Sequence, residues 1–205
     1  NPDAVKNVNL IKGGMPANYG GRLSSVLEVN MVEGNKKQFG VKGGLGVISS
    51  RLAVEGPIKK DRGSFMISGR RTYIDLLMKA FIPKSSSFYG SGYYFYDLNF
   101  KANYKLSEKD HIYLSGYFGK DEFKYDNRKD NFMVSMPWQN GAASLRWTHL
   151  FGRKLFMNVA ATFSHYNFSF ISEQDELQLK LTSGINDVGG KVDFSYFPGN
   201  NRHTI

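Results

Sequence analysis

Tyr94-Phe95-Tyr96-Asp97-Leu98-Asn99-Phe100-Lys101-Ala102-Asn103-Tyr104-Lys105-Leu106 alternates apolar and polar side chains at two-residue spacing. Tyr94, Tyr96, Leu98, Phe100, Ala102, Tyr104 and Leu106 share one face, and Asp97, Asn99, Lys101, Asn103 and Lys105 share the other. Successive side chains of an extended chain point to opposite sides, so the stretch specifies a strand whose two faces meet different surroundings. The pattern returns at Ile112, Leu114, Gly116 and Phe118, then at Ala143, Leu145 and Trp147. It returns again in alternate positions from Leu155 to Phe163, and at Val188, Val192, Phe194 and Tyr196. Shorter or glycine-rich stretches at Phe39 to Val47, Leu52 to Ile58 and Phe65 to Ile67 read as further strands.

The connections between these segments alternate in length. Short polar turns are expected at 59–63, 107–110, 152–154 and 198–202, and long connections at 72–93, 122–138 and 171–186. Only the connection near Ser49-Ser50 departs from this rhythm. Antiparallel strands with tight turns at one end and long loops at the other follow the plan of outer-membrane barrels. The five clearest segments reach the roughly 9 to 11 residues that a tilted strand needs to cross a bilayer. Rings gather near segment ends, as at Tyr93, Tyr104, Phe151, Phe156 and Tyr196, where a membrane barrel carries its aromatic girdles. A soluble barrel would show the same alternation with its apolar side inward. The polar face here mixes Asn, Ser, Thr, Tyr and Gly with few charges, unlike a soluble surface rich in Lys and Glu, and this favours a polar lumen.

Composition removes several classes of function. The chain of 205 residues has no cysteine, so disulfide frames and thiolate metal sites are excluded. Its four histidines stand singly, without the spacing of a metal-binding helix, and no cofactor is expected. The net charge of +9 arises from cations scattered through turns and alternate positions, which is not the basic stripe of a nucleic-acid binder. Gly43-Gly44-Leu45-Gly46 opens no helix and fails the context of a dinucleotide loop. Asp121, Glu122, Asp126 and Asp130 do not have calcium-loop spacing. No nucleophile, base and orienting group are joined by a recognisable motif, so no enzyme is expected. No apolar run is long enough for a membrane helix, and Asn1-Pro2-Asp3 reads as a point inside a longer protein.

Residues 1–36 lack the barrel-strand pattern. A helical turn is expected over Asp3 to Val8, with short strands at Asn9 to Lys12 and Val26 to Met31. Between them runs Gly13-Gly14-Met15-Pro16-Ala17-Asn18-Tyr19-Gly20-Gly21-Arg22-Leu23-Ser24-Ser25-Val26-Leu27, and Glu33-Gly34-Asn35 follows. This stretch resembles the end of the plug domain of TonB-dependent outer-membrane receptors in the form common among Bacteroidota. Ser64-Phe65-Met66-Ile67-Ser68-Gly69-Arg70-Arg71-Thr72-Tyr73-Ile74-Asp75 resembles an early barrel strand of the same family.

The resemblance implies an all-β chain: residues 1–36 as the C-terminal part of a plug, and 37–205 as about eight strands of an incomplete antiparallel, up-and-down transmembrane β-barrel. Whole barrels of this class have about 22 strands. It implies energised uptake of a scarce ligand across the bacterial outer membrane, gated by the plug, and no catalysis. The implied partners are outer-membrane lipid, TonB through a preceding N-terminal region, an unknown small ligand or oligomer, and a surface lipoprotein. A passive porin or structural barrel is the competing reading; it would need no plug.

Several side chains follow as candidates. Gly20, Gly21, Arg22 and Glu55 are expected at the plug and barrel contact, with Arg22 and Glu55 as an ion pair in a partly shielded space. Asp97, Lys101, Lys105, Arg146, Lys191 and Asp193 are expected to face the lumen. A short helix is expected over Tyr73 to Phe81, ended by Pro83, followed by a ring-bearing outer loop in which Tyr89 and Tyr93 would touch ligand. Replacing Arg22 by Ala should loosen the plug of the complete receptor and raise its pore conductance in a planar bilayer. Unchanged conductance would remove Arg22 from the lock.

Overall fold

The structure is a computed structural model that describes residues 1–14, 19 and 24–198. Two sheets account for its strands. The smaller joins β1 (Val5–Lys12) to β2 (Ser25–Met31) in an antiparallel pair. The larger holds β3 (Gly40–Leu45), β4 (Ser49–Lys59), β5 (Gly63–Thr72), β6 (Gly92–Lys105), β7 (Asp110–Asn127), β8 (Phe132–Leu150), β9 (Leu155–Gln174) and β10 (Leu177–Tyr196). Every strand of this eight-stranded sheet pairs antiparallel with its sequence neighbour, and β3 and β10 form the two edges. The sheet is not closed on itself. One helix, α1 (Ile74–Phe81), stands between β5 and β6 and ends ahead of Pro83, as its spacing predicts.

The expected helical turn over Asp3 to Val8 is replaced from Val5 onward by strand. Pairing aligns Val8 with Val29 and Leu10 with Leu27, and such apolar cross-strand pairs contribute about 0.2 to 1 kcal/mol each. Four residues in a helical turn would satisfy fewer backbone groups than this ladder does.

Residues aligned across neighbouring strands share a face, so the register sorts the side chains of the large sheet into two sets. The β1–β2 hairpin lies against one of them, here called the covered face. Asn1 Nδ2 donates to Ser68 Oγ (3.4 Å), and Lys101 Nζ donates to the Met31 carbonyl (3.0 Å). Ser64, Met66, Ser68, Asn99 and Asn103 are buried there. The opposite, free face carries Leu52, Ile67, Leu98, Leu114, Leu145 and Phe163, all substantially exposed. The sheet therefore buries polar side chains and exposes apolar ones.

The second difference from expectation concerns length. The stretches 122–138 and 171–186 are mostly strand, not long loops: β7 and β8 meet at a short turn with Asn131 at φ 46°, and β9 and β10 meet at one with Asp175 at φ 50°. Asn131 Nδ2 donates to Asp175 Oδ1 (3.2 Å), tying the two turns together. Along these strands the phase of the alternation reverses. Near the end that carries the β6–β7 and β8–β9 turns, here called the short-turn end, β9 puts Met157, Val159 and Phe163 on the free face and Asn158, Thr162 and Ser164 on the covered face. Farther along it puts His165, Asn167 and Ser169 on the free face and Tyr166, Phe168 and Phe170 on the covered face. β10 changes in step, from Val188 and Val192 on the free face to Leu179, Leu181 and Ile185 on the covered face. In β7 the change falls between Phe118 and Lys120.

The approach of the hairpin to the sheet is set by one glycine. A Cβ on buried Gly34 would lie 1.9 Å from the Phe65 carbonyl oxygen, so backbone meets backbone where β2 leads towards β3. Gly34→Ala should push the segment off β5 at a cost of about 1 to 3 kcal/mol. Faster amide exchange in β1 and β2, with β7 to β10 unchanged, is the expected readout.

Candidate functional site

Strands β4, β5 and β6 present alternate residues to the underside of the hairpin, and three polar contacts fasten it there. Arg51 Nη1 donates to Asp3 Oδ1 at 2.8 Å. The Asn1 to Ser68 bond lies one strand over, and Lys101 holds the Met31 carbonyl with Glu33 Oε1 at 3.9 Å. Asp3 Oδ2 is buried without a partner beside a small cavity lined by Val32, Lys42, Ala53, Glu55 and Met66. That cavity is where hairpin and sheet come closest to sharing an ionic cluster.

Below the hairpin the covered face is cross-linked. Arg70 donates from Nε and Nη2 to Asp97 Oδ2, each at 2.8 Å, while Asn99 Nδ2 donates to Oδ1 at 2.9 Å. The carboxylate of Asp97 is thus compensated although buried. Asn103 Nδ2 donates to Ser64 Oγ at 2.8 Å, a buried neutral bond worth about 0.5 to 1.5 kcal/mol net. Towards β10 a larger cavity of about 560 Å³ separates Val5, Val29 and Met31 of the hairpin from Ser115, Tyr117, Ser144, Thr162 and Ser164.

The register carries Asp97, Lys101, Lys105, Arg146, Lys191 and Asp193 on the covered face. It does not gather them into one site. Asp97 serves Arg70 and Lys101 serves the hairpin; Lys105 is paired with Glu108 in the adjoining turn. The Arg146 guanidinium lies over the Tyr113 ring at 4.4 Å, and Lys191 pairs with Asp193 at 3.0 Å. Glu55 also lies on the covered face, held by Lys42 at 3.3 Å. Gly20, Gly21 and Arg22 lie outside the described residues. Tyr89 sits under the Arg128 guanidinium at 4.9 Å, and the Tyr93 hydroxyl donates to Asp121 Oδ1 at 3.0 Å. Burial, reinforced by that carboxylate, pushes the Tyr93 phenol above its ordinary pKa.

Arg51, Arg70 and Asp3 were not singled out in the sequence. Arg51 has the same strand parity as Glu55, so its face was readable, whereas its partner 48 residues away was not. The close approach of backbone to backbone lies at Gly34.

The free face has its own boundaries. At the short-turn end Asp110 Oδ1 accepts from Trp147 Nε1 (3.1 Å) and lies 2.7 Å from His149 Nδ1, while Oδ2 accepts from Ser107 (2.6 Å). The Ser107 hydroxyl first, then His149 and Trp147, hold the Asp110 carboxyl down from 3.8 to about 2. Phe151 packs edge-on against His149, and Phe156 stacks on Phe197. At the other end a polar band crosses the sheet. Lys120 pairs with Glu122 (3.3 Å), which accepts from the Tyr94 hydroxyl (2.7 Å). His165 bridges Gln139 and Asn186. Between these limits the exposed surface is apolar.

No protein-family model matches the chain, and no curated protein matches it.

If the ion pair fastens the hairpin, Arg51→Ala and Asp3→Asn should each speed amide exchange in β1, and the double variant should show little further change. Because Arg51 is partly exposed, a coupling of about 1 kcal/mol is expected from a double-mutant cycle on local opening. Additive effects would separate the two residues.

Proposed function

We propose that the chain is part of a TonB-dependent receptor of the bacterial outer membrane, with β3 to β10 as one section of a barrel wall and the β1–β2 hairpin as the tail of its plug. The observation that carries the reading is the bounded apolar band on the free face, opposite a polar face that holds the hairpin. From Gln139 to His149, Leu155 to His165 and Asn186 to Tyr196, each strand needs 11 residues to pass from one boundary to the other. A tilted strand crosses a bilayer in about 9 to 11. Polar-tipped rings at the short-turn end fit the headgroup zone, and that end would face the periplasm. Lipid is the partner of the free face, and the plug and ligand are the partners of the covered face.

The hairpin supports a gated receptor over a passive pore. Among the described residues its hydrogen bonds and ion pair to the sheet are few and partly exposed, and the apolar contact is confined to small groups about Ala4, Ala53 and Met66, so the polar contacts can be exchanged for water at small cost when force is applied. The task of the covered face is then to hold a removable obstruction. Energy for its removal would come from TonB acting through the preceding part of the plug, and the transported solute would be a scarce ligand bound on the outer side.

Two adjacent residues test the orientation. In the complete receptor, Leu145→Arg places a charge on the free face near the middle of the band, at an expected cost of about 2 to 4 kcal/mol in lipid. Ser144→Arg, on the covered face, should leave the folded barrel intact. Heat modifiability of the outer-membrane fraction reports both. Tolerance of Leu145→Arg with loss of Ser144→Arg would place the apolar face inward, as in a soluble barrel.

A further inference from the structure

Beyond the polar band at Lys120, Gln139 and Asn186, the reversed alternation gives β6 to β10 a second surface. Phe95, Phe123, Trp138, Phe168, Leu181 and Ile185 all lie on the covered-face side of this extension. Among the described residues no Lys, Arg or His of β6 to β10 shares this surface with them; the Arg70 guanidinium of β5 lies over the Phe95 ring at 4.7 Å but is held by Asp97, and Arg128 lies over Tyr89 at the flank. The one acid of this surface is Asp121, engaged by the Tyr93 hydroxyl. The same face below the band is rich in Ser, Asn and charge, so the change is local.

Segment 82–91 covers one flank of the extension, with Phe88 edge-on to Tyr125 at 5.8 Å. The β9 and β10 part remains open, with Leu181 58% and Ile185 65% exposed. We infer that this surface is a recess for an uncharged solute that presents rings or aliphatic chains, and that it selects against anions. The charge pattern decides the class. A carboxylate or phosphate leaving water against Trp138, Phe168, Leu181 and Ile185 would meet no counter-charge from these strands, and Arg70 at the Phe95 end is already neutralised by Asp97, whereas rings and alkyl groups would be desolvated there. Rigid aromatic side chains lose little freedom on contact, which suits a surface that fills and empties.

The inference rests on the membrane reading above and specifies the solute class of its outer side. The chain has no cysteine, which allows thiol reporters. In the purified full-length receptor, Phe168→Cys and Leu181→Cys report the recess. Asn167→Cys and Thr182→Cys, their neighbours on the opposite face, are controls. Each is reacted with N-phenylmaleimide and with a sulfonated, anionic maleimide.

The ratio of neutral to anionic rate should be about tenfold higher in the recess than at the controls, corresponding to about 1.4 kcal/mol of preference. Equal ratios would overturn the inference. So would protection of both recess positions from both reagents while the controls react, because the receptor's own chain would then fill the space. Leu181→Cys, already exposed, keeps the test valid if Phe168→Cys does not fold. Intact cells separate the two readings: failure of the impermeant sulfonated reagent at Thr182→Cys would count against the membrane placement, while the purified receptor still decides the recess.

Discussion

A sheet is one residue thick, so each side chain must take one face or the other, and whatever covers each face dictates every second residue. The rest of this molecule follows from that constraint. Where the hairpin lies on β4 to β6, the buried alternate residues are mostly small or polar: Ser64, Ser68, Asn99 and Asn103 flank the one large apolar side chain, Met66, and the hairpin approaches until Gly34 touches the Phe65 carbonyl. On the free face the intervening residues are apolar, and among the described residues no other element lies over them. A soluble domain arranges these two sets the other way round, with the apolar set buried.

The buried polar layer also sets how firmly the hairpin is held. Apolar packing would hold it by area, and its release would expose that area to water. Here, among the described residues, a small apolar contact about Ala4, Ala53 and Met66 is joined by a few directional bonds, with Asp3 on Arg51 and the Met31 carbonyl on Lys101, beside a carboxylate oxygen of Asp3 that has no partner. Such a junction is specific in position and modest in strength. Within the sheet, by contrast, Asp97 is gripped by Arg70 and Asn99, so the sheet is more strongly cross-linked than its contact with the hairpin.

The eight-stranded antiparallel sheet was legible because β6, β7 and β9 keep one alternation phase across most of the apolar band, and α1 was legible from its spacing and Pro83. The extensions were not, for a specific reason. At His165 in β9 and Lys120 in β7 the alternation continues but changes phase, and a phase change in a linear sequence looks like the end of a strand. Residues such as Phe168 and Phe170 then read as rings at the end of a strand, although their period is still two and the strand runs on. The candidate site was legible by face and not by partner: parity placed Glu55, Lys101 and Arg146 correctly on one side. Only the register between distant strands and the hairpin could pair Arg51 with Asp3 or Lys101 with Met31.

The turns of β7–β8 and β9–β10 are joined by Asn131 and Asp175 through a side-chain bond and a backbone bond, from Asp175 N to the Asn131 carbonyl at 3.1 Å. Two ribbons that are paired along their length and pinned at their tips form a braced panel. Twisting one ribbon alone would shear the β8–β9 ladder and break the pin together. A load applied at the far edge is therefore shared by four strands and carried down to Ser115, Ser144, Thr162 and Ser164, which face the hairpin across the larger cavity. Stiffness at the tips of β7 to β10 and a light fastening on β4 to β6 divide the mechanical roles between the two halves of the same sheet.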